Sequence, residues 1–260
     1  MHEYLKVLEL HDHEQGLGFL NEVVRRHVSA FSFSSVNCFL GEDLPLDFES
    51  LFNRIVVQRR GGYCFEQNGL LFEVLKELGY LPELYLARVI YNQDTHPGLT
   101  HRITIVEHEG QKYVLDVGFG PLGPRGPVLF SENETIDGDR RFRILDCHSG
   151  NYHMQVFKEG DFFSLYRFEL ARYGQADCEL GHFYSHRHPE ASFVNHLVVA
   201  CLQESETRSL RDLDYRVITG HGVTENIIGS AEQLRRILVD ELGMQVTEVE
   251  SCKLFERLDA

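Results

Sequence analysis

The sequence predicts an α+β protein, because the spacing of apolar residues changes along the chain. Through roughly the first 80 residues, apolar side chains recur every three to four positions, as in amphipathic helices. From about residue 83 to 170 they alternate with polar ones, which indicates strands, and beyond residue 170 the two patterns mix. With 260 residues, the chain is long enough for one large domain or for two to three small ones that share an interface.

Three helices are predicted in the first part of the chain. The segments QGLGFLNEVVRRHVSAFSF and DFESLFNRIVV each carry an apolar stripe at helical spacing. A third helix begins near Cys64 and ends before Gly79, since glycine readily adopts the left-handed backbone conformation that follows a helix.

Six strands are predicted in the middle of the chain. Gly110 and Gly160 mark turns between them, and residues 118–140 form a loop rich in glycine, proline and charge. Six strands with tight turns indicate a barrel or a strongly curved antiparallel sheet. The segments are ELYLARVIY, HRITIVEHEG, QKYVLDVGF, RFRILDCH, YHMQVFKEG and FFSLYRFEL.

The last part of the chain mixes helix and strand. ADCELGHFYSHRHPEASFV is interpreted as a short helix and a loop, and NHLVVACLQ and DYRVITGHG as strands. Ser230 is placed as the cap of a final helix, with Gln233 completing a Ser-x-x-Gln capping box. No Ser/Pro-rich linker separates these zones, so we expect them to pack tightly.

Composition argues against several classes of partner. A net charge of −15 disfavours a general affinity for nucleic acid or for anionic lipid. The N-terminus does not resemble a signal peptide, and no stretch approaches the ~18 uninterrupted apolar residues of a membrane-spanning helix. We therefore expect a reduced, cytoplasmic protein without nucleic-acid or membrane partners; its oligomeric state is not indicated.

No metal site is predicted. The six cysteines form no CxxC pair, and their spacing suggests neither a zinc site nor a disulfide framework. The runs 11–13 (HDH) and 186–188 (HRH) contain possible ligands, but neither has a clear site spacing, so both are interpreted as solvated surface. Five cysteines are interpreted as small core residues: Cys38, Cys147, Cys178, Cys201 and Cys252.

The stretch QRRGGYCFEQNGLLFEVLKELGY places Cys64 at the start of a helix. There the helix dipole and free N–H groups favour a thiolate over a thiol. Gly61 and Gly62 have no side chains, so a ligand carbonyl could approach the sulfur and the N–H groups that would hold an oxyanion.

Charged residues surround this cysteine. Arg59 and Arg60 would support a thiolate if they point inward. Glu66 would oppose it, but two positions along a helix it should face roughly the other side.

A base and an orienting acid are predicted for the cysteine. His101 begins one strand and Asp116 ends the next, and a turn near residues 109–111 would bring both to the open ends of neighbouring strands. Asp116 could then bond one imidazole nitrogen while the other faces Cys64. A structural role for each of the three residues stays open on the pattern alone.

The loop DVGFGPLGPRGPVLF is the other unusual segment. It is not a Walker loop, which needs Gly-x-x-x-x-Gly-Lys-Ser/Thr. Free N–H groups at its glycines, among them Gly120 and Gly123, would suit a phosphate beside Arg125. An irregular connection between strands explains the same loop equally well.

Taken together, RRGGYCFEQN, THRITIV and LDVGFG resemble the arylamine N-acetyltransferases, and FYSHRHPEASFVNHL is similar to that family's segment leading into its third domain. The resemblance implies a helical N-terminal domain, a β-barrel middle domain and an α/β C-terminal lid, the first two forming a cysteine-protease-like core. We place these domains at residues 1–82, 83–190 and 191–260.

The resemblance also implies a reaction. Cys64 would take an acetyl group from acetyl-CoA as a thioester, with His101 as base and then acid and Asp116 as its orienting group. An arylamine, hydrazine or arylhydroxylamine would then attack the thioester, in ping-pong order with CoA leaving first.

Ligand-binding residues follow from the same resemblance and from the neighbouring glycine-rich loop. Phe119 resembles the aromatic wall of the family's acceptor pocket, and Gly62 and Tyr63, beside the nucleophile, are also assigned to substrate. Residues assigned to the acyl donor are Thr100, Gly120, Gly123 and Arg125.

One segment departs from the family pattern. Where members often carry Pro-Phe-Glu-Asn-Leu, this chain has SSVNC, in which only Asn37 matches. An aromatic contributor to the acceptor pocket is therefore missing there, which affects the choice of acceptor and leaves the catalytic residues untouched.

Three other functions remain open. An amide synthase could use the same Cys-His-Asp centre to close a macrolactam without CoA. A cysteine hydrolase is a further candidate, although papain-like spacing places the histidine more than about 100 residues after the cysteine. A binding module with a structural Cys64 is disfavoured by the combined motifs.

Overall fold

Helices form the first part of the chain in the computed structural model, which describes residues 2–10 and 15–259. The predicted helices correspond to α2, to α4 with the π-helical turn that continues it, and to α5; the possible ligand run 11–13 lies outside the described residues. The elements are α1 (His2–Val7), α2 (Leu17–Ala30), the short strand β1 (Phe33–Ser34), α3 (Val36–Phe39), α4 (Phe48–Phe52), the π-helical turn (Asn53–Val57) and α5 (Cys64–Glu77).

Helix α5 lies at the centre of this part. Leu70, Leu71, Val74 and Leu75 are fully buried and pack in one apolar cluster with the inner faces of α1 and α2. The helix stops as predicted, because Gly79 follows its C-cap with a φ of +83°, which a side chain would disfavour.

An eight-stranded antiparallel sheet follows, with the order β5-β4-β3-β2-β9-β8-β7-β6. It curves until the segment after β5 reaches β7, where the Ile144 N–H donates to the Ser131 carbonyl at 2.9 Å. The strands are β2 (Pro82–Val89), β3 (His101–His108), β4 (Gln111–Leu115), β5 (Val128–Leu129), β6 (Thr135–Asp137), β7 (Arg140–Asp146), β8 (Asn151–Lys158) and β9 (Asp161–Glu169).

The six predicted strands are the six long ones. The two additional strands, β5 and β6, lie in the segment predicted as a loop, and at two and three residues they are too short to show an alternating pattern.

The hairpin between β3 and β4 sets the positions of two candidate site residues. His108 pairs with Gln111, and the intervening Glu109 and Gly110 have φ values of +50° and +76°, as a two-residue hairpin turn requires. This register carries His101 and Asp116 to the same end of the sheet, away from the turn.

The rest of the chain builds a second sheet, with the order β1-β10-β11-β12-β13, and covers it with helices. Strand β1 of the helical part pairs with β10, so the first and last parts of the chain share this sheet. The elements are α6 (Gln175–Arg187), α7 (Ser192–Asn195), β10 (Val198–Leu202), β11 (Glu206–Arg211), β12 (Asp214–Thr219), β13 (Gly222–Ile227), α8 (Ala231–Arg236), a π-helical turn (Ile237–Glu241) and α9 (Glu248–Leu258).

The predicted α+β class is confirmed, and the C-terminal details are corrected. Strands β11 and β13 and helix α9 were not predicted. Ser230 does cap α8 by accepting the Gln233 N–H, but the Gln233 side chain accepts from Gly229 instead of Ser230, so the capping box is only half formed. The domain boundaries stay a prediction.

Two properties of the described residues concern membrane-spanning helices and clusters of metal ligands. Between residues 2 and 10 and between 15 and 259, no helix has the length and apolar character needed to cross a bilayer. In the same ranges, no three His, Cys, Asp or Glu side chains converge as metal ligands would.

Candidate active site

The start of α5, the start of β3 and the end of β4 meet at one point. Cys64 is the first residue of α5, His101 the first of β3, and Asp116 directly follows β4. His101 Nε2 lies 2.7 Å from Asp116 Oδ2, and the Cys64 thiol donates to the Thr100 carbonyl, beside His101, at 3.4 Å. The structure thus brings the three predicted residues together, each of them buried.

The charges of the pair follow from this geometry. Burial alone lowers the pKa of His101, but the charge and hydrogen bond of Asp116, followed by its interactions with Cys64, raise that pKa to about 10. Burial raises the pKa of Asp116, yet His101, Asn68 and the Gly118 N–H hold it below its usual range. Asp116 is therefore a carboxylate, and the imidazole can hold a proton taken from the Cys64 thiol.

Asn68 holds the carboxylate in place. Four residues after Cys64, it lies on the same face of α5 and donates from Nδ2 to Asp116 Oδ1 at 2.9 Å. Its Oδ1 accepts the Val117 N–H at 2.9 Å, so one amide clamps the end of β4 to the helix. Asn68 was not predicted as a site residue, although its spacing from Cys64 within RRGGYCFEQN could have identified it.

The first glycine of the LDVGFG motif allows this close approach. A Cβ on Gly118 would lie 2.6 Å from the Cα of Cys64 and 2.8 Å from Asn68 Nδ2. Any side chain there would push the strand end away from the helix, so the Asp116–Asn68 contact depends on Gly118.

A cleft of about 550 Å³ opens onto Cys64 and His101. The Phe119 ring packs edge-on against the His101 ring at 5.2 Å, and Tyr91 lies 5.8 Å from Phe119. Apolar lining residues include Phe33, Val89, Tyr91, Phe119, Phe193 and Val198. Strands β11 and β12 contribute polar lining residues: Ser209, Arg211, Asp214 and Arg216.

Of the predicted ligand-binding residues, Thr100 and Phe119 line this cleft. Phe33, Tyr91 and Phe193 were missed. Phe33 directly precedes the SSVNC segment, so an aromatic ring reaches the cleft from this region even though the family-like phenylalanine is absent. Phe193 lies in the family-like segment FYSHRHPEASFVNHL but was not singled out, and nothing in the sequence around Tyr91 indicated a place in the cleft.

Other predicted residues lie outside the cleft. Tyr63 is fully buried, with its hydroxyl 2.5 Å from His182 Nδ1, and the Gly62 carbonyl accepts the Ser34 N–H. Arg125 is also buried, and its guanidinium pairs with Asp139 at 2.9 Å.

The remaining two, Gly120 and Gly123, line a much smaller neighbouring cavity. Ligand contacts for these five residues stay predictions.

The neighbouring charges differ from expectation. The Arg59 guanidinium lies over the Phe31 ring and donates to the Ala30 carbonyl, and Arg60 pairs with Glu42 and Glu250.

Glu66 pairs with the buried Arg54 at 2.7 Å and accepts the Tyr63 N–H. The condition under which Arg59 and Arg60 would support Cys64 is not met, because a carbonyl and two carboxylates hold their guanidinium groups elsewhere.

Comparisons with known proteins identify the family of the chain. A family model described as N-acetyltransferase matches residues 16–251. The arylamine N-acetyltransferase of Escherichia coli is 30% identical over 227 residues, covering 86% of this chain and 80% of that protein. That of Mycolicibacterium smegmatis is 30% identical over 240 residues, covering 90% and 87%.

A solved structure shows the same likeness across the whole chain. The Mycobacterium marinum arylamine N-acetyltransferase in complex with CoA superimposes with a TM-score of 0.92 at 25% identity, covering 99% of this chain and 98% of that one. The chain therefore belongs to the arylamine N-acetyltransferase family and is an acyltransferase.

Proposed function

We propose that this protein moves an acetyl group from acetyl-CoA to an aromatic amine, hydrazine or arylhydroxylamine through a thioester on Cys64. The observation that supports this most is the buried His101–Asp116 pair beside Cys64 at the floor of a largely apolar cleft. A cysteine next to an imidazole that a carboxylate orients is the usual arrangement of a thiol nucleophile.

In the first half-reaction, the thiol proton resides on His101, whose raised pKa favours the imidazolium, and the Cys64 sulfur attacks the acetyl carbonyl of acetyl-CoA. Since Nε2 faces Asp116, the nitrogen that serves Cys64 is Nδ1. Backbone N–H groups at the start of α5 favour the negative charge on the tetrahedral intermediate. The C–S bond to CoA then breaks, and the CoA sulfur leaves with the proton from His101.

In the second half-reaction, the amine nitrogen attacks the thioester carbonyl and His101 accepts the amine proton. The bond to Cys64 breaks, releasing the acetylated amine and returning the thiol. Asp116 keeps its charge throughout, so the imidazolium formed in each half is stabilised without an additional proton transfer.

The cleft suits these substrates. The rings of Phe119, Tyr91, Phe33 and Phe193 offer flat apolar faces to an aromatic acceptor. The relative from M. marinum was solved with CoA, which supports CoA as the carrier here. Of the residues proposed to bind the acyl donor, Thr100 lines the cleft. We keep Gly120, Gly123 and Arg125 as proposed donor contacts, although they are not among the residues that line it.

The experiment is mass spectrometry after brief incubation with acetyl-CoA alone. We expect one added acetyl group on the peptide containing Cys64, none in Cys64→Ala, and discharge of the adduct by 4-methylaniline with formation of its amide. An adduct that water discharges as fast as the amine would indicate a hydrolase. No adduct on Cys64 would overturn the proposal.

A further inference from the structure

A second cavity, of about 910 Å³, lies on the other side of β3 from the cleft. Successive residues of a strand face opposite sides, so His101 faces the cleft and Arg102 faces this cavity. Among the residues that the structure describes, none lines both cavities. Apolar walls come from the 44–48 segment and from α6: Leu44, Pro45, Leu46, Phe48 and Phe183.

Arg102 is the unusual residue of this cavity. The residue is 3% exposed, and its Nε has no hydrogen-bond partner within residues 2–10 and 15–259. In the described part of the chain its guanidinium makes no ion pair or hydrogen bond, and it lies over the Phe72 ring at 5.1 Å. Burial lowers the pKa of Arg102, and the nearby Cys178 and Glu73 side chains oppose this effect without pairing with it. Gly69 leaves room for it, because a Cβ there would come 3.3 Å from Nη1.

Other buried arginines of this protein are compensated. Arg54 pairs with Glu66 at 2.7 Å and Arg125 pairs with Asp139 at 2.9 Å. A buried guanidinium stays protonated, and leaving it without a counter-charge is unfavourable. Unlike Arg54 and Arg125, Arg102 therefore lacks an ion-pair partner among the described residues and would be stabilised by a bound anion.

The carboxylates around the cavity form no ion pair with Arg102 in the described part of the chain. Asp43 pairs with Arg187, Asp47 accepts the Ser50 N–H at the start of α4, and Glu73 pairs with Lys76. Glu179 also lines the cavity; it is exposed, and within the described residues it has no ion pair or hydrogen bond.

We propose that this cavity, the Arg102 pocket, binds a monocarboxylate with an aromatic or aliphatic body. The carboxylate pairs with the Arg102 fork, and the body packs against Leu46, Phe48 and Phe183. A monoanion fits better than a phosphate, since one guanidinium faces several acidic residues and only part of the wall is apolar. This site is independent of acetyl transfer in the cleft.

Isothermal titration calorimetry with 1-naphthoate tests the proposal. We expect 1-naphthoate to bind the wild-type protein about tenfold or more tightly than Arg102→Met, through loss of the charged hydrogen bonds. Arg211→Met, which removes a cation from the cleft, should bind as wild type does. The neutral analogue 1-naphthalenemethanol should bind wild type and Arg102→Met equally.

Three results would overturn it. One is equal 1-naphthoate affinity in wild type and Arg102→Met, and another is a loss in Arg211→Met instead. The third is inorganic phosphate binding as tightly as 1-naphthoate, which would contradict the proposed class of ligand.

The unfolding temperature of an Arg102 variant shows whether Arg102 binds a ligand or stabilises the fold. Arg102→Met should unfold at the same or a higher temperature, because it removes an uncompensated charge while keeping an apolar stem against Phe72. If that variant does not fold, Arg102→Lys serves, and it should bind 1-naphthoate more weakly than wild type because it lacks the planar fork.

Glu179 is the rival partner. Glu179→Gln should leave the unfolding temperature unchanged and tighten 1-naphthoate binding by removing repulsion. A lower unfolding temperature in Glu179→Gln, with no 1-naphthoate binding to wild type, would mean that Glu179 pairs with Arg102 and would exclude the pocket as a ligand site.

Discussion

Two buried histidines lie on either side of α5, and each is connected to the helix by a side-chain amide. On one side, His27 bonds Gln67 Oε1 through Nε2 and the Tyr4 hydroxyl through Nδ1, both at 2.8 Å. On the other side, His101 bonds Asp116, which in turn accepts from Asn68. Gln67 and Asn68 are adjacent residues, so one turn of helix positions both histidines.

The two histidines differ in the charge of their partners. Burial lowers the pKa of His27 to about 4, and the hydrogen bond to Gln67 offsets this only in part. The Asp116 carboxylate reverses the same burial effect at His101. Because Gln67 Nε2 donates to the Ser32 carbonyl, its Oε1 faces His27 and accepts from Nε2. With its pKa lowered to about 4, His27 is a neutral imidazole that carries its proton on Nε2. Burial with neutral partners thus gives a structural histidine, and burial beside a carboxylate gives one that can hold a proton.

The largest effect on the rate of acetylation should come from giving His101 a neutral partner, as His27 has. Asp116→Asn keeps the shape of the pair but removes its charge, which disfavours the imidazolium and the correct orientation of the ring. We expect the rate of Cys64 acetylation to fall on the order of 10³- to 10⁴-fold. Single-turnover kinetics with acetyl-CoA measure it, and an unchanged rate would leave Asp116 with a structural role only.

The next largest effect should be a loss of stability at acid pH that arises from His27. The pKa of His27 in the folded protein, about 4, lies below the unfolded value of about 6.5, so the unfolded chain binds the extra proton first. Stability that is present above pH ~6.5 should be lost as the pH falls toward 4, by up to about 3 kcal/mol.

Urea denaturation between pH 7 and 4 tests this, with His27→Gln as the comparison. The decrease in the free energy of unfolding should be smaller in the variant, since glutamine does not titrate. Equal decreases in both proteins would contradict the assignment of a neutral His27.

The smallest effects should come from replacing the amide side chains of Asn68 and Gln67, and the two replacements should affect different properties. Asn68→Ala removes a hydrogen bond to a charged carboxylate and should slow acetylation of Cys64 by about 10- to 100-fold. Gln67→Ala, its matched neighbour, should lower the free energy of unfolding by about 1–3 kcal/mol and leave that rate within about twofold. A rate loss in Gln67→Ala as large as that in Asn68→Ala would mean that α5 transmits both contacts to the site.

The same contrast shows how far sequence reasoning reaches. Long elements with a clear period, such as α5 and β3, were predicted well, but β11, β13 and α9 were missed and β5 and β6 were too short to detect. His27 lies within the helix predicted from QGLGFLNEVVRRHVSAFSF, and nothing in the sequence indicates that Tyr4 and Gln67 surround it. The Arg102 pocket was not foreseen either, because the absence of a partner is visible only once every neighbour is placed.

What the sequence determined by itself is local: a cysteine at the start of a helix, and a hairpin whose register carries His101 and Asp116 to one end. Helix starts and hairpin registers depend on residues close together in the chain, so they can be read from it. The tertiary structure decided the rest: Asn68 on Asp116, Phe33 in the cleft, and Arg59 and Arg60 directed away from Cys64. These depend on how distant segments pack, where a partner elsewhere in the fold competes for each side chain.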